Sequence, residues 1–381
     1  MSLSILQLGS GLLGWCGVST HLLEVCRGLQ ERGHQVRLAC VPNWRLDREA
    51  RKRGIETLAL YSREEYDWRR FPAFFREFRS RHYDVVQAHS WADRVVPMIA
   101  ARLAGVPAVI MERPDYRGFS NRLTAYVCGH LVCDALIAVS EAVRSQTLER
   151  GVDASRVFRV YNGIAIPSLS HPRSSVRQEL HLSEETFLVA AAGRLVEEKG
   201  FDLLIRAMRQ VIENKVDAHC LIAGSGPEEG QLRQLAESLG LGERVHFLGF
   251  RDDVVAILAE AQLCAMPSRS EGLPYVALEA LSVRCPVVAS NVGGLPEVVG
   301  ESCGVLVPPE NPEKLARAIV DLAANPALLR EMGAAGRRRA EEMFSMKAML
   351  DGVEAVYRAV LQRKGRPLPP PATVERLRPG P

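Results

Sequence analysis

Several signatures are missing from this chain of 381 residues, and each absence removes a class of function. No apolar run approaches the ~18 residues that a membrane span needs. The start, Met-Ser-Leu-Ser-Ile-Leu-Gln-Leu, has no basic n-region and turns glycine-rich at once, which reads as a strand rather than a leader. Cysteines stand at 16, 26, 40, 128, 133, 220, 264, 285 and 303, an odd set without Cys-x-x-Cys spacing. They are read as free, mostly buried thiols of a reducing compartment. The expected location is cytoplasmic, with room for peripheral contact at the inner membrane face. No Asp-x-Asp occurs, and the adjacent Asp252-Asp253 begin a helix, where negative charge is expected anyway. Histidines and cysteines show no ligand spacing, so no metal-binding residues and no cofactor are expected. The net charge of +3 is weak but uneven. Residues 1–170 hold 23 Lys+Arg against 17 Asp+Glu and the remainder 25 against 28, so the first half is the one suited to an anionic surface. Without a stacking platform or a recognised module, that charge does not indicate nucleic acid.

What is present is a regular alternation of short apolar runs and helical patterns, the mark of parallel sheets covered by helices on both faces. A first series of strands is expected at Ser4–Leu8, Gln35–Val41, Val85–Ala88, Ala108–Met111, Ala135–Val139 and Val157–Val160. A second follows at Phe187–Ala192, Ala218–Ala223, Val245–Leu248, Leu263–Met266, Pro286–Ala289 and Gly304–Val307. The stretch Ile166–Arg173, with two prolines and two serines, has linker composition. The length also fits two domains. The expected division is 1–166, 167–344 and a Pro-rich tail at 363–381, with the helical pattern 345–362 between the last two.

Gly9-Ser-Gly11-Leu-Leu-Gly14 follows the first strand and formally matches Gly-x-Gly-x-x-Gly, which by itself suggests a dinucleotide. That ligand also requires an acidic residue at the end of the second strand to hold a ribose diol. The second strand instead runs into Val41-Pro-Asn-Trp44, with no carboxylate before Asp47. The loop continues to Gly17 at the start of a helix. There a bare backbone brings N–H groups close to an anion, and Gly17 is the residue expected nearest a phosphate or the reacting centre.

The second half carries a charged constellation. Arg194 and Lys199 follow the strand Phe187–Ala192, one offering a planar fork and the other a point charge, a pair suited to a diphosphate. Further on, Glu271 and Glu279 stand eight positions apart across a loop-to-helix start. Each carboxylate can accept two hydroxyl hydrogen bonds from a diol. If the intervening residues are mostly helical, the separation is roughly 12 Å, about the length of a nucleoside diphosphate sugar. Glu279 lies among Val276, Ala277, Leu278, Ala280 and Leu281, where an unpaired carboxylate is costly.

Gly193-Arg-x-x-x-x-Lys199-Gly, Ala223-Gly-Ser-Gly-Pro227, Val245-His-Phe-Leu-Gly-Phe-Arg-Asp-Asp253 and Pro267-Ser-Arg-Ser-Glu271-Gly-Leu-Pro with Glu279, in this order, resemble the retaining GT-B glycosyltransferases, specifically glycosyltransferase family 4. In the first half, Gly17-Val-Ser-Thr-His-Leu-Leu-Glu, Asp84-Val-Val-Gln-Ala-His89-Ser, Ala138-Val-Ser-Glu141 and Val160-Tyr-Asn-Gly-Ile164 agree, so the likeness spans residues 3 to 362. The resemblance implies an α/β protein of two Rossmann-like domains facing across a cleft, with the last helix crossing back onto the first. It also implies a nucleoside diphosphate sugar as donor and a hydroxyl acceptor, soluble or lipid-linked. By the same resemblance Arg194 and Lys199 take the donor phosphates, Glu279 the ribose and Glu271 the transferred sugar. Backbone at Gly272 and Leu273 stands beside that sugar, and the Gly249–Arg251 loop flanks the base. Gly224 and Gly226 belong to the donor site as well. His89, at the end of a strand, is expected near the reacting sugar, so the catalytic set is His89, Arg194, Lys199 and Glu271. Many relatives supply a second histidine from the next strand, where this chain has Glu112-Arg113. Arg113 is read either as an acceptor-side anion binder or as a partner of Glu112 or Asp115. Two other activities fit the architecture, a non-catalytic nucleotide-sugar binder and a nucleotide-sugar epimerase.

The basic, aromatic stretch Trp68–Arg81 has two readings. It could touch an anionic membrane. The favoured alternative is a helix burying Phe71, Phe74, Phe75 and Phe78 at spacings of three and four, with its arginines in water.

Overall fold

The computed structural model describes residues 2–11, 17–64, 66–89, 95–113, 121–168 and 176–366. Gly14 of the glycine loop, residues 90–93, most of the 166–173 linker and the tail beyond 366 lie outside them.

Two all-parallel sheets organise the chain. The first contains β1 (Ser4–Leu8), β2 (Gln35–Ala39), β3 (Glu56–Leu58), β4 (Val85–Ala88), β5 (Ala108–Arg113), β6 (Ala135–Ala138) and β7 (Val157–Arg159), in the order β3-β2-β1-β4-β5-β6-β7. The second contains β8 (Phe187–Ala192), β9 (Ala218–Ala223), β10 (Val245–Gly249), β11 (Leu263–Met266), β12 (Val287–Ser290) and β13 (Gly304–Val307), in the order β10-β9-β8-β11-β12-β13. The apolar runs form strands because helices cover both faces of each sheet. Every residue of β4, β6, β11 and β12 is buried. The strand that periodicity missed is β3, a three-residue edge piece, Glu-Thr-Leu, only partly covered. In both sheets the chain leaves the first strand in one direction and later returns to its other side. The gaps β1/β4 and β8/β11 are therefore switch points, where the carboxyl ends of neighbouring strands leave a crevice for a ligand.

The helix Phe71–Arg81 buries Phe74 and Phe78, half-covers Phe71 and Phe75, and exposes Arg76, Arg79 and Arg81. Among the described residues no helix is long and apolar enough to cross a membrane. The eight described cysteines are all free, and all but Cys128 are buried.

The last helix, Met346–Arg363, packs on the first sheet. Its Met349, Leu350, Val353, Val356, Tyr357, Val360 and Leu361 join the core around Ile5, Leu22 and Val36. Leu350 reaches Gly28 so closely that a Cβ there would stand 2.3 Å from it. Ile164 N donates to Phe344 O at 2.8 Å and Met346 N to Ile164 O at 3.1 Å, fixing the crossing point. Burying each large aliphatic side chain of that helix is worth about 1.5–3 kcal/mol, enough to hold its position without polar contacts. Three further contacts join the lobes. Asn162 Nδ2 donates to Leu273 O at 2.9 Å. The Glu297 carboxylate accepts from the N–H groups of Glu141 and Ala142 at 2.7 and 3.0 Å. Gly17 lies against Tyr275, where a Cβ would come within 2.9 Å of Cδ2.

Candidate active site

The β8/β11 switch point gathers most of the expected second-lobe residues. Gly193 begins the loop out of β8, followed by Arg194, whose side chain is exposed and has no partner among the described residues. A single 3-10 turn, Glu197–Lys199, then leads through Gly200 into the helix Phe201–Glu213. Lys199 Nζ donates to Glu271 Oε1 at 2.6 Å, and Ser268 Oγ donates to the same oxygen at 2.7 Å. Glu271 is 7% exposed, and Oε2 accepts from no described residue. Arg269 fixes the loop from the outside. It pairs with Asp202 at 2.8 Å and Glu310 at 2.6 Å, and its N–H donates to Glu198 O at 2.8 Å.

Behind this loop, Gly293 (φ 51°) sits so near the chain that a Cβ would fall 1.8 Å from Glu271 O. A Cβ on Gly294 would fall 2.1 Å from Gly272 O. The Gly293-Gly294 pair therefore supports the backbone of Glu271 and Gly272, a role that motif reading overlooked although the doubled glycine before Leu295-Pro-Glu297 was its signal. The buried N–H groups of Gly272 and Leu273 donate to none of the described residues. Such groups are nearly always paired in folded proteins.

Glu279 lies on the helix Tyr275–Ser282. Half the interval from Glu271 is loop, so the helical assumption behind the ~12 Å separation does not hold. Its carboxyl is half-buried and unpartnered among the described residues, and burial pushes it up to about 7. The other residues expected on the donor side are engaged within the protein. A Cβ on Gly224 or Gly226 would collide with Gly193 O at 1.8 Å or Leu195 O at 2.3 Å, so these glycines let the β9 loop pack on the loop carrying Arg194. Arg251, expected beside the base, has its side chain occupied by Asp253 at 2.7 Å and Glu179 at 2.8 Å.

The first lobe differs from expectation. His89 is fully buried, with Nε2 2.6 Å from Gln7 Oε1 and Nδ1 3.0 Å from Glu112 Oε2. The structure places it behind the lobe surface rather than on it. Arg113 is also fully buried, its Nη1 donating to Thr147 Oγ1 at 3.0 Å and its Nη2 approaching Gln146 Oε1, so it has no surface to offer an acceptor. The unforeseen member is His21, on the helix Gly17–Glu31, whose Nε2 stands 2.8 Å from Glu112 Oε1. Scattered in sequence, His21, His89 and Glu112 bring their ligating atoms within 4.8 Å of one another. Neighbouring ligands on a tetrahedral ion stand roughly 3.3 Å apart. The shorter separations here are those of direct imidazole–carboxylate contact. Burial pushes the Glu112 carboxyl up, but the two imidazoles more than offset it and hold it well below the usual carboxylate range.

A ring of hydrogen bonds runs on from that carboxylate. A carboxylate only accepts, so Gln87 turns its NH2 to Glu112 Oε2 at 2.9 Å and its carbonyl to Tyr357, whose hydroxyl donates to it. Tyr357 then accepts from Gln7 Nε2 at 3.1 Å, which leaves Gln7 Oε1 facing His89. The donor at that contact must be His89 Nε2–H. The C-terminal helix is thereby connected, residue by residue, to the end of β4.

Two family models match the chain, "Glycosyltransferase Family 4" over residues 15–166 and "Glycosyl transferases group 1" over 172–339. The chain is 37% identical over 211 residues to the GDP-mannose-dependent monoacylated alpha-(1-6)-phosphatidylinositol monomannoside mannosyltransferase of Corynebacterium glutamicum, and spans about half that relative's length, 53% of each protein. It is 32% identical over 304 residues to the D-inositol 3-phosphate glycosyltransferase of Segniliparus rotundus, covering 74% of this chain and 67% of that one. Among solved structures, Anabaena HepE in complex with UDP and glucose superposes with a TM-score of 0.82 at 23% identity, across 94% of this chain and all of that one.

Proposed function

Because this chain belongs to the GT-B-fold glycosyltransferases of family 4, we propose that it moves a sugar from a nucleoside diphosphate sugar to an acceptor hydroxyl with retention of configuration. The observation that carries this reading is the state of the β8/β11 switch point. An exposed guanidinium without a partner among the described residues and a lysine already beside a carboxylate follow the ends of the adjacent strands β8 and β11, and a half-buried carboxyl pushed up to about 7 lies on the helix after β11. A buried carboxyl without a partner is unfavourable in the free protein. It becomes favourable when a ribose diol donates to it.

In this reading Arg194 and Lys199 meet the diphosphate and stabilise the charge that develops as the leaving group departs. Glu279 takes the ribose hydroxyls, Glu271 Oε2 takes a hydroxyl of the transferred sugar, and the free N–H groups of Gly272 and Leu273 lie beside it. Protein cations supply the phosphate charge, consistent with the absence of Asp-x-Asp, so the transfer is metal-independent. The acceptor is a hydroxyl of a glycan, glycolipid or small molecule. The named Corynebacterium relative, which works on a phosphatidylinositol mannoside, favours a lipid-linked acceptor reached by peripheral contact with a membrane.

The test is a thermal-shift screen with UDP-, GDP- and ADP-sugars followed by product analysis. A donor at 100 times its Kd raises stability by about 2.7 kcal/mol. Binding with transfer to an added acceptor supports the reading. Binding without transfer across a broad acceptor panel points to a non-catalytic binder, and a changed sugar with donor alone points to an epimerase.

A further inference from the structure

We propose that His21, rather than His89, is the imidazole this enzyme presents to the sugar being transferred, and that Glu112 is the residue that positions it. The proposal rests on the transfer reading above and adds to it the first-lobe side of the site.

Both nitrogens of His89 face protein side chains at close range. The ring Glu112–Gln87–Tyr357–Gln7 forces its Nε2–H toward Gln7, its Nδ1 lies against Glu112, and none of its surface is exposed. His21 is in the opposite condition. Its Nε2 faces Glu112 Oε1 at 2.8 Å, whereas its Nδ1 is buried and has no partner among the described residues. It is 5% exposed, and its ring centroid lies 5.5 Å from that of His89 and 5.9 Å from that of Tyr275. Tyr275 belongs to the second lobe. It opens the helix that carries Glu279 and directly follows the Glu271–Pro274 loop. Gly17, one helical turn before His21 and so on the same helix face, packs on that same Tyr275 ring. His21 thus stands where the first lobe meets the sugar-side loop of the second.

The chemistry follows from the tautomer. In the neutral ring with its proton on Nε2, the atom 2.8 Å from Glu112 Oε1, Nδ1 keeps its lone pair and accepts a hydrogen bond from a hydroxyl of the sugar. A buried nitrogen without a partner is a standing penalty in the free protein, relieved when that hydroxyl arrives. Glu112 touches no substrate. It fixes the orientation and tautomer of the ring that does, as outer carboxylates do for ligating histidines.

The test uses the full chain and whichever of UDP-glucose and GDP-mannose it binds and turns over. His21→Ala should lower kcat about 10- to 100-fold, with the affinity for the corresponding nucleoside diphosphate changed less than about threefold. If the alanine variant misfolds, His21→Asn replaces it and should show the same loss. Glu112→Gln should lower kcat about 10- to 100-fold with KM nearly unchanged. In the His21→Ala background it should cost nothing more, because a residue acting through another has no effect once the other is gone. Wild-type kcat in the folded His21 variant overturns the proposal, and additive losses in the double variant overturn the role of Glu112. A wild-type protein that binds no nucleotide sugar overturns the transfer reading itself, a result distinct from binding with an unaffected His21 variant.

Discussion

The two lobes treat their polar side chains in opposite ways. In the first, Gln7, Gln87, His89, Glu112 and Tyr357 are each at most 2% exposed and bond or pair with one another in one connected ring. In the second, Arg194 and Glu279 have no described partners, and Glu271 keeps one oxygen free. A closed network fixes shape, since each member is costly to disturb once buried. Groups left open bear a penalty that only a ligand relieves. The contrast separates residues that hold the site from residues that contact what it binds, and His21 is the first-lobe group that falls on the open side.

Arg194→Ala should strain this comparison most. Loss of a cation that meets developing charge in the transition state lowers kcat by about 10²–10³. The melting temperature should hardly move, because an exposed side chain without partners contributes within about 0.5 kcal/mol. Steady-state transfer assays and calorimetry on the same variant check both halves. Near-normal transfer would remove the diphosphate from Arg194. Arg194→Lys should restore only part of the rate, since it keeps the charge and loses the fork.

Glu279→Gln comes next and sharpens the comparison through pH. The folded carboxyl titrates near 7, raised from 4.5. A raised value means that its contribution to stability is fully present below about pH 4.5 and is lost as pH rises through 7. The loss is on the order of 3 kcal/mol. Glu279→Gln should therefore raise the melting temperature of the free protein at pH 8 and change it little at pH 5. Donor affinity should show the converse. Two hydroxyl donors favour the ionised form, so wild-type affinity for a nucleotide sugar should tighten about tenfold from pH 6 to pH 8. Titration calorimetry of the variant should show weaker binding and a flat pH profile, and an unchanged slope would detach Glu279 from the ribose.

The open groups of the second lobe were legible in the sequence and the pairings of the first were not, for a physical reason. Arg194, Lys199 and Glu271 follow strands whose apolar runs announce themselves, so local spacing placed them at the carboxyl ends of a parallel sheet. The strand series was readable on the same grounds, and β3 escaped because Glu56-Thr-Leu58 is too short and too exposed to show a pattern. His89 drew attention by ending a strand, yet what decides its role is Gln7, 82 residues away, and Tyr357, 350 residues from Gln7. Spacing within one element carries no trace of such closures. His21 looked like one more residue of an amphipathic helix, and its pairing with Glu112 exists only because β2 and β3 separate the Gly17 helix from β4 and β5 in chain order, whereas in the sheet β1, the strand that leads into that helix, lies directly beside β4.

The smallest expected effect concerns the contact between the two kinds of region. Glu297, on the short second-lobe helix Leu295–Val299, spans to the first lobe and accepts from the first N–H groups of the helix Glu141–Glu149. Those N–H groups have no partners within their own helix, and a carboxylate at a helix N-terminus also meets the positive end of its dipole. Glu297→Ala leaves them to water at the lobe boundary, and the half-buried position limits the loss to about 1 kcal/mol. Glu297→Gln keeps an acceptor, loses the charge and should lie between. The same residue follows the Gly293-Gly294 pair that supports Glu271 and Gly272, so loosening it should let the sugar loop drift relative to His21. A few-fold rise in donor KM with kcat within about twofold, alongside a melting temperature lower by roughly 2 °C, is the expected pattern. A large fall in kcat instead would mean that the lobe contact sets the geometry of the transition state, and the division between holding and contacting residues would have to be redrawn.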